Sequence, residues 1–210
     1  MIDQLILVRH GETVHNVAGI AQGWNDSELS EQGRIQVHRL ALRLKEYGAN
    51  TLFSSPLGRA LSTAAIIAGE TGLEIRSLDD LREMNYGRWE GRSFLEVRGS
   101  DRDIYDRWIV DADEPSPGGE SHNDVLHRMR NAFRAIGESL NGAPVRAIVV
   151  THGTAIRLGA TALLEAPFVT SRHLAQDNAA INVFVRRGDR IVMKAWNDTA
   201  HCLVNQKPET

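Results

Sequence analysis

The chain has almost no cysteine. Cys202 is the only one in 210 residues, so no disulfide can form within the chain and no cysteine-rich metal site can be built. No apolar run approaches membrane-spanning length, which gives no reason to expect membrane association. The N-terminus lacks a basic stretch followed by a long apolar one, and Leu5 to Val8 is too short for a secretion signal. The expected location is therefore cytoplasmic. The net charge is −3 and the basic residues are scattered, so no stripe for nucleic acid is present. No His-x-His, Asp-x-Asp or paired-cysteine spacing marks a metal. His122 and His127 lie five apart and share a helix face poorly. Gly118-Gly119 precedes a helical pattern but lacks the lysine and the preceding strand of a nucleotide phosphate loop. Neither a metal nor a cofactor is expected.

Apolar periodicity is plentiful. Leu5-Ile6-Leu7-Val8 and Ala147-Ile148-Val149-Val150 have the continuous apolar composition of strands buried on both faces. Thr51-Leu52-Phe53 is a shorter strand. Ser30 can cap a helix over 31–47 with Val37, Leu40, Ala41, Leu44 and Tyr47 on one face and Gly48 just past its end. A second helix starts near Gly58, with Leu61, Ala64, Ala65 and Ala68 on one face. A third starts at Ser121, with Val125, Met129, Ala132, Phe133 and Ile136 inward. A small-residue helix spans 154–164. Ile181–Val185 and Arg190–Lys194 flank Gly188-Asp189 as a hairpin.

Alternating strands and helices predict an α/β three-layer sandwich: a largely parallel sheet with an antiparallel edge hairpin and helices on both faces. Residues 1–210 read as one domain, long enough to bury about 70% of the unfolded chain's surface. Residues 85–120 carry no strand signal and hold Trp89, Phe94 and Trp108 between charges, which predicts a small helical cap. Arg88, Arg92, Arg102 and Arg107 in that cap could bind a carboxylate or a second phosphate, or simply be solvated; the two readings are equally good.

Both apolar strands end in the same way. The first runs into Arg9-His10-Gly11, the second into Thr151-His152-Gly153. Ligands of open α/β sheets bind at the carboxyl ends of strands. Two strand tips, each delivering a histidine and then a glycine, point to one site assembled from both ends of the chain.

These segments resemble those of the histidine phosphatase superfamily, the phosphoglycerate-mutase-like proteins. Leu7-Val8-Arg9-His10-Gly11-Glu12-Thr13 is similar to the family signature. Ser54-Ser55-Pro56-Leu57-Gly58-Arg59-Ala60 resembles its second arginine segment, and Arg82-Glu83-Met84-Asn85-Tyr86-Gly87-Arg88-Trp89-Glu90-Gly91 its acid segment. Pro117-Gly118-Gly119-Glu120-Ser121 and Thr151-His152-Gly153 follow in the family's order. The resemblance implies that His10 accepts the phosphoryl group. It must be neutral to attack, which an ordinary imidazole pKa of about 6.5 allows. Arg9 and Arg59 would clamp the phosphoryl oxygens with planar, bidentate donors, and His152 would add another donor. Glu83 would protonate the leaving oxygen, a task that calls for burial beside the phosphate's charge. Glu90 is the competing acid. Asn16, Gln22 and Gly23 would line the phosphate site. Gly11 and Gly153 would open backbone N–H groups to the anion, unless they only serve tight turns. Trp24 is expected to pack rather than touch substrate.

The resemblance leaves two activities and a third possibility. A phosphatase passes the phosphoryl group from His10 to water; a cofactor-dependent phosphoglycerate mutase returns it to a sugar acid; an inactive module only binds phosphate. The mutases carry a longer insertion after the acid segment and a lysine shortly beyond it. Here 34 residues separate Glu83 from Gly118, and Ser93-Phe94 follows Gly91-Arg92 with no lysine. The expectation is a phosphatase branch member acting on small phosphorylated metabolites. The family's range of assemblies includes homodimers, and no interface is legible in the chain.

Overall fold

The computed structural model describes residues 1–203. Its strands are β1 (Ile2–Arg9), β2 (Thr51–Ser54), β3 (Ile75–Ser77), β4 (Val145–Thr151), β5 (Ile181–Arg187) and β6 (Arg190–Asp198). Its helices are α1 (Val14–Val17), α2 (Glu31–Leu44), α3 (Gly58–Thr71), α4 (Phe94–Ser100), α5 (Arg102–Val110), α6 (His122–Glu138) and α7 (Gly153–Leu163). The strands form one sheet in the order β3-β2-β4-β1-β5-β6. β3, β2, β4 and β1 run parallel; β5 and β6 close the edge antiparallel. This is the α/β sandwich expected from the sequence.

Side-chain alternation divides the sheet between two helix layers. Leu5, Leu7, Ala147 and Val149 face Val125, Met129 and Phe133 of α6 together with α7. Ile6, Val8, Ile148 and Val150 face Leu40 and Leu44 of α2 and Ala60, Ala64 and Ile67 of α3. Both faces are covered, which explains why these strands read as continuous apolar runs.

Several boundaries differ from expectation, each for a local reason. The helix over 31–47 gives way at Lys45–Tyr47 to a 3₁₀ turn, closed by Gly48 at φ +58°. The inward face of α3 is Ala60, Thr63, Ala64 and Ile67, while Ala65 is exposed and Leu61 only half-buried. The alanine-rich sequence hid the phase because alanine marks no face strongly. β3 was not foreseen, since three residues with one apolar side chain carry no period. Both hairpin strands run past their expected ends, β5 through Arg186 and Arg187 and β6 through Ala195 to Asp198.

Residues 85–120 are helical where expected. α4 and α5 bring together Tyr86, Trp89, Phe94, Tyr105 and Trp108, with Trp89 meeting Trp108 edge-on at 5.3 Å and Tyr86 meeting Phe94 edge-on at 5.3 Å. Such pairs add about 0.5–1.5 kcal/mol each beyond burial. This cluster continues the α6–α7 side of the core.

Candidate active site

Sheet register sets the site. β1 and β4 are adjacent and parallel, and Arg9 lies opposite Thr151. His10 and His152 therefore leave the sheet side by side, and their ring centroids are 5.1 Å apart. Strand order also reverses here, because β4 has inserted between β2 and β1, so a crevice opens at these tips.

His10 is 2% exposed. Its Nδ1 is 2.8 Å from the Gly11 carbonyl, which can only accept, so Nδ1 carries the proton. Nε2 accepts from Arg59 Nε at 3.3 Å and so presents its lone pair. Burial, then the charges of Arg59 and Arg9, push the His10 pKa well below its ordinary value. The imidazole is thus neutral, and its Nε2 lone pair becomes available to attack once a phosphoryl oxygen takes over the Arg59 N–H. Arg59 is itself buried and fixed by the carbonyls of Gly23 and Asn25, at 2.7 and 2.9 Å, and by Asp26.

His152 is fully buried behind His10 and does not form part of the cavity wall. Its Nε2 is 2.8 Å from Ser55 Oγ, which also accepts from the Leu57 N–H. A hydroxyl proton given to Nε2 leaves Nδ1 protonated. Burial first, then Arg59, lowers the pKa of this ring too. His152 Nδ1 and Arg9 Nε are buried polar atoms with no partner. Such atoms are costly unless something satisfies them; an oxyanion in the cavity would satisfy Arg9 Nε, whereas His152 lies behind the wall, so the expected direct contact of His152 with phosphate is not in place.

Glu83 sits at the N-terminus of α7. Its carboxylate accepts from the backbone N–H groups of Met84, Thr154 and Ala155 at 2.9, 3.1 and 3.1 Å. Its carbonyl is held by Trp24 Nε1 and by Arg128, at 2.8 and 2.9 Å. Arg128 also grips the Asp80 and Arg82 carbonyls and pairs bidentately with Glu120, whose second oxygen takes the Asn85 N–H. Glu120 of the Pro-Gly-Gly-Glu segment thereby braces the Glu83 backbone. Glu90 has a different task. Its oxygens accept the N–H groups of Trp24, Asn25 and Tyr86, tying the Gln22–Asn25 loop to the 86–90 turn, and it does not line the cavity.

The cavity over these groups measures about 270 Å³. It brings together Arg9, His10, Asn16, Gln22, Gly23, Arg59, Glu83 and Gly153 from the sequence-based set. Asn16 Oδ1 is committed to Thr13 and Asn178, while its Nδ2 donates to no group among the described residues. Gln176 and Arg157 also line the cavity; neither lies in a segment that the sequence singled out. Gly11 differs from expectation. Its N–H donates to Thr63 Oγ1 at 3.1 Å, and a Cβ there would lie 2.5 Å from Val37. It is glycine because α2 packs against it, not to admit an anion. Trp24 packs on Arg82, 5.0 Å away, besides bonding Glu83. The cap arginines prove solvated or paired: Arg92 with Asp101, Arg102 with Asp106, Arg107 with Glu114, and Arg88 exposed. None reaches the cavity.

The neutral histidines carry a consequence for acid stability. Unfolded imidazoles bind protons below about pH 6.5. Native His10 and His152, with lowered pKa values, do not, so the unfolded state takes up more protons and stability falls as pH drops through that value. Thermal melts at pH 7.5 and 5.5 should show the lower midpoint at pH 5.5. A midpoint that rises on acidification would contradict neutral burial of these rings.

A mixed sheet with two buried histidines and two guanidiniums at its central tips defines a class, the α/β enzymes that handle phosphoryl groups. The chain belongs to the histidine phosphatase superfamily (branch 1), whose family model matches residues 5–199. It is 36% identical over 205 residues to phosphoglycerate mutase-like protein 4 of Arabidopsis thaliana, covering 94% of this chain and 86% of the relative. It is 34% identical to a probable phosphoglycerate mutase GpmB of Erwinia tasmaniensis, covering 85% and 83%. Among solved structures, a mycobacterial glucosyl-3-phosphoglycerate phosphatase shares 32% identity at a TM-score of 0.85, covering 93% and 99%. Phosphoserine phosphatase of Entamoeba histolytica, solved with phosphoserine, shares 29% at 0.84, covering 96% and 99%. By family and structural kinship the chain is an enzyme of the phosphomonoesterase kind.

Proposed function

We propose that the protein is a metal-independent phosphatase that hydrolyses monoesters of small metabolites through a phosphohistidine on His10. The observation that carries this is the fixed tautomer of His10, protonated at Nδ1 and presenting Nε2 beside Arg59. In the first step Nε2 attacks phosphorus, the P–O bond to the alcohol breaks, and Glu83 gives a proton to the departing oxygen. The proton arrives with the substrate, whose phosphate holds one near pH 6. In the second step water attacks the phosphohistidine, Glu83 takes its proton, and neutral His10 is restored. Arg9 and Arg59 hold the transferring oxygens, with Asn16, Gln22, Gly23 and the N–H of Gly153 completing the cradle, and His152 backs the His10 ring from behind. Residues 85–120 act as a cap over this site within a single domain.

Phosphatase and mutase share these groups, and the named relatives lean both ways. The short segment after Glu83 supports hydrolysis, because a mutase has to keep its phosphoenzyme from water while the sugar acid reorients. The test follows both products from 3-phosphoglycerate with 2,3-bisphosphoglycerate as primer. Phosphate release should outrun formation of 2-phosphoglycerate; mutase turnover exceeding it would assign the chain to the mutases.

Positive charge at the site comes from guanidiniums, so turnover should survive exhaustive chelation. Among the described residues no group of three His, Cys, Asp or Glu side chains could hold a metal. Loss of activity with EDTA, restored by one divalent ion, would contradict this mechanism.

A further inference from the structure

The phosphoryl cavity is not the whole cleft. A second cavity of about 430 Å³ adjoins it, and the two share Tyr86, Phe94, Thr154 and Arg157 as walls. Its character is different. Phe94 and Trp108 lie nearly parallel, 15° apart with centroids at 6.2 Å, and Tyr105 borders both. The cavity lies within the ~300–1,000 Å³ range of small-molecule sites, and a three-carbon acid such as serine or glycerate would leave most of it empty.

Charge and unpaired donors point the same way. No carboxylate lines this cavity, whereas Arg157 and Arg172 both do. Neither forms an ion pair among the described residues; Arg157 donates one hydrogen bond, to Thr154 Oγ1 at 2.9 Å. His122 and Trp108 are each 7% exposed, and His122 Nδ1 and Trp108 Nε1 have no partner. Burial, then the charges of Arg157 and Arg172, lowers the His122 pKa to about 4, so it meets a ligand as a neutral ring. A buried indole N–H without an acceptor, beside guanidiniums in no ion pair, suits an anionic group.

We propose that this second cavity is the leaving-group subsite, and that it selects phosphomonoesters whose alcohol has a planar apolar body ending in a second anionic group. The ring packs against the face that Phe94, Tyr105 and Trp108 present to the cavity, and the anion meets Arg157 and Arg172. This rests on the phosphatase assignment above and adds the substrate class to it. A carboxylate and a second phosphate share the required chemistry.

The probes are benzyl phosphate, 4-carboxybenzyl phosphate, the bisphosphate of 1,4-benzenedimethanol and O-phosphoserine. All four are alkyl phosphates, which reduces differences in leaving-group chemistry. At least one anionic benzyl ester should exceed both benzyl phosphate and O-phosphoserine in kcat/KM by about tenfold, the factor that about 1.4 kcal/mol provides. Which anionic ester is better tells a carboxylate from a phosphate. Arg172→Met keeps the aliphatic stem and removes the charge. It should shrink the ratio of anionic to plain benzyl ester to within about twofold, whatever it does to either rate alone. O-Phosphoserine equal to or better than the anionic esters, or a ratio unmoved by Arg172→Met, would overturn the subsite while leaving the phosphatase assignment intact. No phosphate released from any of the four would overturn both.

Discussion

Replacing His10 by alanine should lower turnover of every phosphomonoester by at least about 10³-fold while the protein remains folded. The expectation follows from the chemistry of Nε2. It is the one neutral, unprotonated nitrogen at the strand tips that is positioned by a charged neighbour, at 3.3 Å from Arg59. Asn178 and the guanidinium cradle cannot replace it, because amide and guanidinium groups are poor nucleophiles. The fold should tolerate the change, since β1 keeps partners on both sides in β4 and β5. Removing the ring also removes a buried imidazole that opposes folding at acid pH. Circular dichroism and a melting curve check the fold; phosphate release checks the rate. Turnover within tenfold of the unsubstituted enzyme would contradict nucleophilic catalysis by His10.

The second large effect belongs to Glu83→Gln, and it should depend on the leaving group. General acid catalysis contributes typically 10²–10⁴-fold, and it matters most when the departing alkoxide is strongly basic. An alkyl phosphate should therefore lose about 10²-fold or more in kcat, and an activated aryl phosphate much less. Stability confounds a single rate, because glutamine offers one acceptor oxygen where Glu83 uses two. Its amide would face one of the three N–H groups, at a cost of about 1–3 kcal/mol. Comparing the two substrates on the same variant removes that confusion. Glu90→Gln is the control. Its carboxylate holds the 22–25 loop and not the cavity, so its loss should depress both substrates alike. Equal losses in Glu83→Gln, or a selective loss in Glu90→Gln, would place the acid elsewhere.

The strands and the site were legible to different depths. β1 and β4 stood out because both faces are buried, leaving no polar residue to break the run. The histidine tips were legible because each follows its strand without a spacer. The partners that hold them were less so. Ser55 lies inside a segment whose arginine drew attention, yet its hydroxyl is the hydrogen-bond partner of His152 Nε2. Arg128 lies on a helix whose apolar face was read correctly, and nothing in that periodicity shows that its guanidinium reaches three carbonyls and Glu120. The cap was undecided from sequence. Its four arginines left anion binding and solvation equally open, and ion pairs absorb three of them. The guanidiniums that line the second cavity, Arg157 on α7 and Arg172 in the 3₁₀ segment Phe168–His173, form no ion pair among the described residues. Which charges are neutralised depends on pairs that only folding creates. Gly11 teaches a related point. A glycine beside a catalytic histidine invites a ligand-binding role, whereas crossing of α2 is enough to require it.

The central claim is that the phosphoryl group passes through Nε2 of His10. The most direct measurement is to quench the enzyme with a rapidly reacting phosphomonoester in alkali, digest it, and locate the modification by mass spectrometry and ³¹P NMR. An acid-labile, alkali-stable phosphate is expected on the peptide containing His10, attached at Nε2 and formed and lost at rates compatible with turnover. Phosphate attached to another residue, or steady turnover with no phosphoenzyme under conditions that trap one, would contradict it.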